Sequence, residues 1–132
     1  MNLVYFSKTK NIERFILKLD QKYFKQIPGS ALLKLNEPII LFTYTTGLGQ
    51  VPKEVMTFCE NNKIRYVIAS GNRNWGKLFA NSANLISTNY GADILYKFEL
   101  SGTNKDLENV RNILKQLYND NLEDYEKCDK LE

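Results

Sequence analysis

Three short segments of this chain concentrate side chains that bind ligands. Ser7-Lys8-Thr9-Lys10-Asn11 places hydroxyls, two cations and a carboxamide just ahead of a helical pattern. Unpaired backbone N–H groups and the positive end of a helix dipole suit a phosphate at such a place, although the same residue types also serve as an ordinary helix cap. Tyr44-Thr45-Thr46-Gly47-Leu48-Gly49-Gln50 sets hydroxyls beside two glycines, which permit positive φ and close backbone approach to a flat ligand. Taken alone it is a flexible turn. Ser70-Gly71-Asn72-Arg73-Asn74-Trp75-Gly76 brings several donors together with the chain's single tryptophan, a ring that covers either a ligand or the core beneath it. The three segments together describe a site for a mononucleotide with a planar heterocycle: a phosphate cradle, two glycines and an aromatic cover.

The composition narrows the chemistry further. There is no histidine among the 132 residues, which excludes Ser-His-Asp triads, Cys-His dyads and histidine zinc sites. The reactive group is therefore expected to be a cofactor, with no catalytic side chain and no metal held by this chain. Cys59 falls on the buried side of a helical pattern and Cys128 in a polar stretch, and the first ten residues have neither a basic nor an apolar leader pattern. Free thiols and a cytoplasmic location follow as expectations. The longest apolar run, Ile39 to Phe42, is strand-sized, well short of the ~20 residues that span a bilayer.

The formal charge of +3 is unevenly spread. Residues 120–132 hold six acids and two lysines, so the remainder carries 16 basic against 9 acidic residues, a net +7. Such a body attracts anionic cofactors or acidic protein faces, but the lysines are scattered and nucleic acid is not an expected partner.

The elements that must position the three segments follow from hydrophobic rhythm. Strand-type runs at Leu3–Phe6, Tyr23–Ile27, Ile39–Thr43, Ile64–Ala69 and Ile94–Leu100 alternate with helical spacings. These are Ile12/Phe15/Ile16/Leu19, Val55/Phe58/Cys59, Leu78/Phe79/Ala83/Ile86 and Leu107/Val110/Leu114/Leu117. This is the α/β signature of repeated βαβ units around a parallel sheet, with Ile39–Thr43 near its centre. Thr9 or Asn11 is placed to cap the first helix, and Thr103 or Asn104 the last. The apolar pattern stops at Asn119, so the reading is one domain over residues 1–119 followed by an acidic, mobile tail over 120–132. The three ligand-type loops follow the carboxyl ends of strands one, three and four, where open α/β sheets bind their ligands.

On these residues the chain resembles the flavodoxin-like proteins that bind FMN. It is most similar to the NrdI family, the flavodoxin-like accessory proteins of class Ib ribonucleotide reductase. The carrying segments are SKTKN (7–11), TYTTGLGQVP (43–52), ASGNRNWG (69–76) with FANSANLIS (79–87), and YKFELSGTNKD (96–106). The resemblance implies a three-layer sandwich with a five-stranded parallel sheet in order 2-1-3-4-5 and FMN at its carboxyl edge. Ser7, Lys8, Thr9, Lys10 and Asn11 would hold the phosphate. Tyr44, Thr45, Thr46 and Gly47, with Ser70, Gly71, Asn72, Trp75 and Gly76, would hold the isoalloxazine, Trp75 being the candidate stacking ring. Lys10 stands where the family pattern has glycine, and Ile12 where a hydroxyl often follows the asparagine, so phosphate binding would lean on lysine charge and backbone donors.

The function the resemblance implies is reduction of dioxygen to superoxide, or a related reduced species, by the reduced FMN. That species oxidises the dimanganese centre of the radical-bearing subunit of class Ib ribonucleotide reductase and so generates its tyrosyl radical. Dioxygen, that subunit and a reductase or thiol electron donor are the expected partners, and the chain itself is expected to be a monomer. One fixed charge about 10 Å from an anionic reduced flavin changes its energy by roughly 1.7 kcal/mol at an effective dielectric of ~20, or about 70 mV for one electron. A body at +7 should therefore hold reduced flavin at a higher potential than an acidic flavodoxin does, with the two one-electron steps close together. An ordinary one-electron flavodoxin shuttle and a cofactor-free interaction domain of the same fold are the alternatives.

Overall fold

A computed structural model describes residues 1–19 and 22–130, with side chains up to residue 120. Five strands form one parallel sheet: β1 (Asn2–Tyr5), β2 (Gln26–Pro28), β3 (Ile39–Tyr44), β4 (Ile64–Gly71) and β5 (Asp93–Glu99). Their order is β2-β1-β3-β4-β5, as the family resemblance implied. The helices are α1 (Asn11–Leu17), α2 (Lys53–Glu60), α3 (Asn81–Tyr90) and α4 (Asn104–Lys130), with a 3₁₀ segment at Arg73–Leu78.

The sheet is covered on both faces, which is why its central strands read as unbroken apolar runs. From β3, Ile39 and Leu41 point into a cluster with Val55, Phe58 and Cys59 of α2 and Ala83 and Ile86 of α3. Ile40 and Phe42 point the other way, into a cluster with Ile12, Phe15 and Ile16 of α1 and Leu107, Val110 and Leu114 of α4. Phe15 stacks on Phe98 of β5 with ring centroids 4.2 Å apart, which ties α1 to the edge strand on the same face of the sheet. Among the described residues no helix is long and apolar enough to cross a membrane.

Four boundaries differ from the sequence reading. The second strand is Gln26–Pro28 rather than Tyr23–Ile27. Pro28 enters it, aligned with Tyr5, because an edge strand does not need every N–H. The third helix begins at Asn81 rather than Leu78, since Gly76 has non-helical torsions and Ala80 is left-handed at φ 48°. α1 is preceded by Lys10 in the left-handed region at φ 66° and has no side-chain bond at its cap position. Its Glu13 N–H instead donates to Ser7 Oγ at 3.3 Å, so the capping oxygen comes from neither Thr9 nor Asn11. α4 runs helically to Lys130, beyond Asn119. Cys128 and the other side chains of the acidic stretch from residue 121 lie outside the described residues, and with them the expectation of a mobile tail.

The last helix starts as the sequence suggested, through a reciprocal box. The Asp106 N–H donates to Thr103 Oγ1 at 3.1 Å, and the Thr103 N–H donates to Asp106 Oδ2 at 2.8 Å, which satisfies two end donors. Burial alone would raise the Asp106 carboxyl, but hydrogen bonds from Tyr96 and Thr103 outweigh it and hold it below the ordinary carboxylate value. Its contribution to stability is therefore present near neutrality and is lost as pH falls through that depressed value.

Cys59 is a buried free thiol, pushed up to about 12 by burial and by the neighbouring Glu60. It is a packing group, because the thiolate is the reactive form. Native protein exposed to a thiol reagent at pH 8 should leave Cys59 unmodified for as long as the fold persists and label it on unfolding in urea. Peptide mass mapping reads this directly, and rapid labelling of Cys59 in folded protein would contradict the packing described.

Candidate functional site

The carboxyl edge of the sheet holds a cleft of about 530 Å³, within the size range of cofactor pockets. All three ligand-type segments meet in it. Ser7, Lys8, Thr9 and Asn11 come from the loop after β1, Tyr44 to Gly49 from the loop after β3, and Ser70, Gly71, Asn72 and Trp75 from the end of β4 and the 3₁₀ segment. Lys10 and Gly76 do not line it. Both have positive φ, so their part is in the shape of the loops. Ile12, Leu78 and Leu100 complete the lining. Apolar side chains carry no polar signal in the sequence, and Leu78 and Leu100 reach the cleft only because β4 and β5 end beside it.

At the β1 end, the first turn of α1 is short of acceptors. Arg14 N–H donates to the Lys10 carbonyl and Glu13 N–H to Ser7 Oγ, whereas no acceptor among the described residues meets the N–H of Asn11 or Ile12. A left-handed residue inside a turn makes successive backbone N–H groups converge on an anion, and Lys10 supplies it. The glycine of the family pattern thus has a conformational counterpart here in a lysine, held at φ 66° at a strain of about 1–2 kcal/mol for a residue with a Cβ.

The loop after β3 is closed by a reciprocal pair. Thr46 N–H donates to the Gln50 carbonyl at 2.9 Å and Gln50 N–H to the Thr46 carbonyl at 2.7 Å, with Leu48 at the tip 69% exposed. Thr45 anchors the loop to its neighbours, its Oγ1 donating to the Ser70 carbonyl at 3.0 Å and lying 2.8 Å from Ser82 Oγ. Tyr44 directs its hydroxyl at Glu54 Oε1, 3.4 Å away. Burial, then the charge and hydrogen bond of Glu54, push that phenol above its ordinary value, so it is a neutral ring at the cleft wall.

The loop after β4 is fixed at both ends. Gly71 carbonyl accepts from Leu100 N–H at 3.0 Å, Arg73 N–H donates to Glu99 Oε2 at 2.9 Å, and the Arg73 guanidinium lies over the Phe79 ring at 4.6 Å. Trp75 is 49% exposed and lines the cleft. It is therefore not folded back onto the core. Gly71 packs so closely on the start of α3 that an added Cβ would lie 2.4 Å from the Ala80 nitrogen.

This arrangement fits a flavin nucleotide. Free backbone donors and a lysine lie at one end, a tyrosine and a half-exposed tryptophan at the other, and glycine backbone lies between. Among the described residues Lys8 is the only charged side chain of the lining. The family model described as NrdI Flavodoxin like matches residues 3–112. The chain belongs to this family. Membership implies a flavin cofactor, and the family is associated with ribonucleotide reductase. Solved structures repeat the fold. Oxidised flavodoxin 1 from Bacillus cereus is 19% identical with a TM-score of 0.64, covering 86% of this chain and 92% of that one. A flavodoxin of Streptococcus pneumonia is 22% identical at 0.64, covering 88% and 95%. A short-chain flavodoxin associated with a bacterial microcompartment is 18% identical at 0.65, covering 86% and 93%. At these identities the likeness is one of fold.

The Gly71–Ala80 approach makes a sharp test of how the cleft is built. Gly71→Ala should cost about 2–3 kcal/mol in urea unfolding, since overpacking against backbone cannot relax by a rotamer change. Lys10→Gly should leave stability unchanged or raise it by up to ~1 kcal/mol, because glycine removes the left-handed strain. Equal costs for the two substitutions would contradict the geometry.

Proposed function

We propose that this chain binds FMN in the cleft and serves class Ib ribonucleotide reductase by reducing dioxygen to superoxide, or a related reduced species. The radical-bearing subunit uses that species to oxidise its dimanganese centre and form the tyrosyl radical. The observation that carries the reading is the meeting of the three segments in one cleft within a chain that belongs to the NrdI flavodoxin-like family. FMN bound there would supply the redox chemistry, one-electron reduction of dioxygen to superoxide.

The chain's own residues bind and orient. Ser7, Thr9, Asn11 and the N–H groups around Lys10 would hold the phosphate, with Lys8 adding charge. Tyr44 to Gly47 and Ser70 to Asn72 hold the edge of the ring system, and Trp75 covers a face. The lining without carboxylates, in a body of positive charge, favours an anionic reduced cofactor over its neutral oxidised form, the direction that two-electron cycling requires. A reductase or thiol donor and dioxygen reach the site from the open side, beside Leu48 and Trp75.

The test is the visible spectrum of the purified protein reconstituted with FMN, reduced without oxygen and then returned to air with a superoxide detector. The expected result is tight FMN uptake, reduction through both electrons without a long halt after the first, superoxide on reoxidation, and radical formation in a manganese-loaded partner subunit. A lasting halt after one electron supports an ordinary shuttle instead, and failure to take up FMN overturns the reading. Lys8→Gln should lower the potential of the reduced flavin by tens of millivolts, about 70 mV if the charge lies about 10 Å away at an effective dielectric of ~20. Spectroelectrochemistry measures it.

A further inference from the structure

A chain of three side-chain hydrogen bonds runs from the edge strand β5 to the glycine loop of the cleft. Lys97 Nζ donates to Asn84 Oδ1 at 2.9 Å, Asn84 Nδ2 donates to Asn81 Oδ1 at 3.0 Å, and Asn81 Nδ2 donates to the Gly49 carbonyl at 2.8 Å. Asn81 and Asn84 stand one turn apart on α3, the spacing at which side chains of a helix meet. Gly49 has φ +80°, and an added Cβ there would lie 3.2 Å from the Asn81 side chain, so the loop and the carboxamide are packed as well as bonded.

The direction of this chain is not free. An ammonium can only donate and a backbone carbonyl can only accept, whereas each carboxamide between them can turn over and exchange its oxygen for its nitrogen. With Lys97 at one end, Asn84 must present oxygen to it and nitrogen to Asn81, and Asn81 must then present oxygen to Asn84 and nitrogen to Gly49. Without the ammonium the Gly49 carbonyl alone sets the direction, and the reversed arrangement, which places an oxygen against that carbonyl, is no longer also opposed at the Asn84 end.

We propose that Lys97 is a positioning residue for the cofactor cleft: acting through Asn84 and Asn81, it fixes the Gly49 carbonyl and with it the loop 46–50. The consequence for affinity rests on the flavin reading given above. Lys97 is not among the residues that line the cleft. Burial lowers its ammonium from the ordinary lysine value, so placing it there costs stability that the Asn84 bond helps to offset. The role differs from electrostatic attraction of an anion, which would need only charge and would not depend on the carboxamides.

The experiment uses the full chain, with two readouts. In protein without flavin, hydrogen exchange at the Thr46 and Gln50 amides follows the loop; in the same protein, FMN titration follows affinity. Lys97→Met should speed exchange at Gln50 and raise the FMN Kd, each by about three- to tenfold, the worth of one net hydrogen bond. Lys97→Arg, still a pure donor, should restore wild-type values. Asn84→Asp keeps an acceptor for Lys97 but offers Asn81 a second acceptor. Asn81 then meets an acceptor on each side and its nitrogen can face only one of them, so this variant should weaken the Gly49 bond as Lys97→Met does although its Lys97 is intact. The double variant Lys97→Met with Asn81→Ala should be no worse than Asn81→Ala alone, since both remove one path. Wild-type exchange at Gln50 in Lys97→Met, or full additivity in the double variant, would overturn the relay. An exchange response in a chain whose wild type takes up no FMN would overturn the flavin reading and leave the relay standing.

Discussion

Every strand of this sheet runs in the same direction, and the site depends on that constraint. Parallel pairing forces each connection back across a face of the sheet, so both faces become covered and all carboxyl ends emerge at one edge. The order β2-β1-β3-β4-β5 sends the chain outward in opposite directions from β1 and β3. The loops after these two strands are thereby adjacent but diverge, and the crevice between them needs no special residue to open it. What the sequence adds at that edge is chemistry: hydroxyls and lysines after β1, glycines after β3, donors and a tryptophan after β4.

The cleft is braced by hydrogen bonds that tie its lining to the elements behind it. Ser7 gives its oxygen to Glu13, Thr45 reaches Ser70 and lies beside Ser82, and Asn81 holds Gly49. Each of these bonds fixes a loop that hydrophobic packing alone leaves loose, since Leu48 and Trp75 remain partly exposed. Preorganisation of this kind lowers the cost of ordering the loops around a bound molecule.

The parallel sheet and the three converging loops were legible because they rest on periodicity and on turn residues, which are local properties of the chain, whereas the strand order came from the family resemblance. Val4, Ile39, Leu41 and Val67 are fully buried, as near-continuous apolar runs should be in a parallel sheet. The features that were not legible depend on contacts remote in sequence or on torsions that residue identity does not reveal. Gln26–Pro28 is chosen as a strand by its alignment with β1, not by its own weak pattern. The 3₁₀ segment and the late start of α3 follow from the left-handed turn at Ala80 and the close seat of Gly71 against it. Lys10 conceals a left-handed turn behind a residue that gives no sign of one. Leu78 and Leu100 line the cleft through the positions of β4 and β5, and no motif marks them.

The seat of Gly71 against Ala80 also divides the molecule mechanically. The segment from Asn72 to Phe79 leaves and rejoins the body at two residues already in backbone contact, so the entropy of closing that loop is settled by the fold and not by the loop's own conformation. Its interior holds the non-helical Gly76, whose Cβ position meets nothing within 4 Å, and is tied to β5 at one point, where Arg73 N–H meets Glu99. The tryptophan wall of the cleft is thus carried on a handle whose two ends are set by the fold, with Arg73 as its strut to the edge strand.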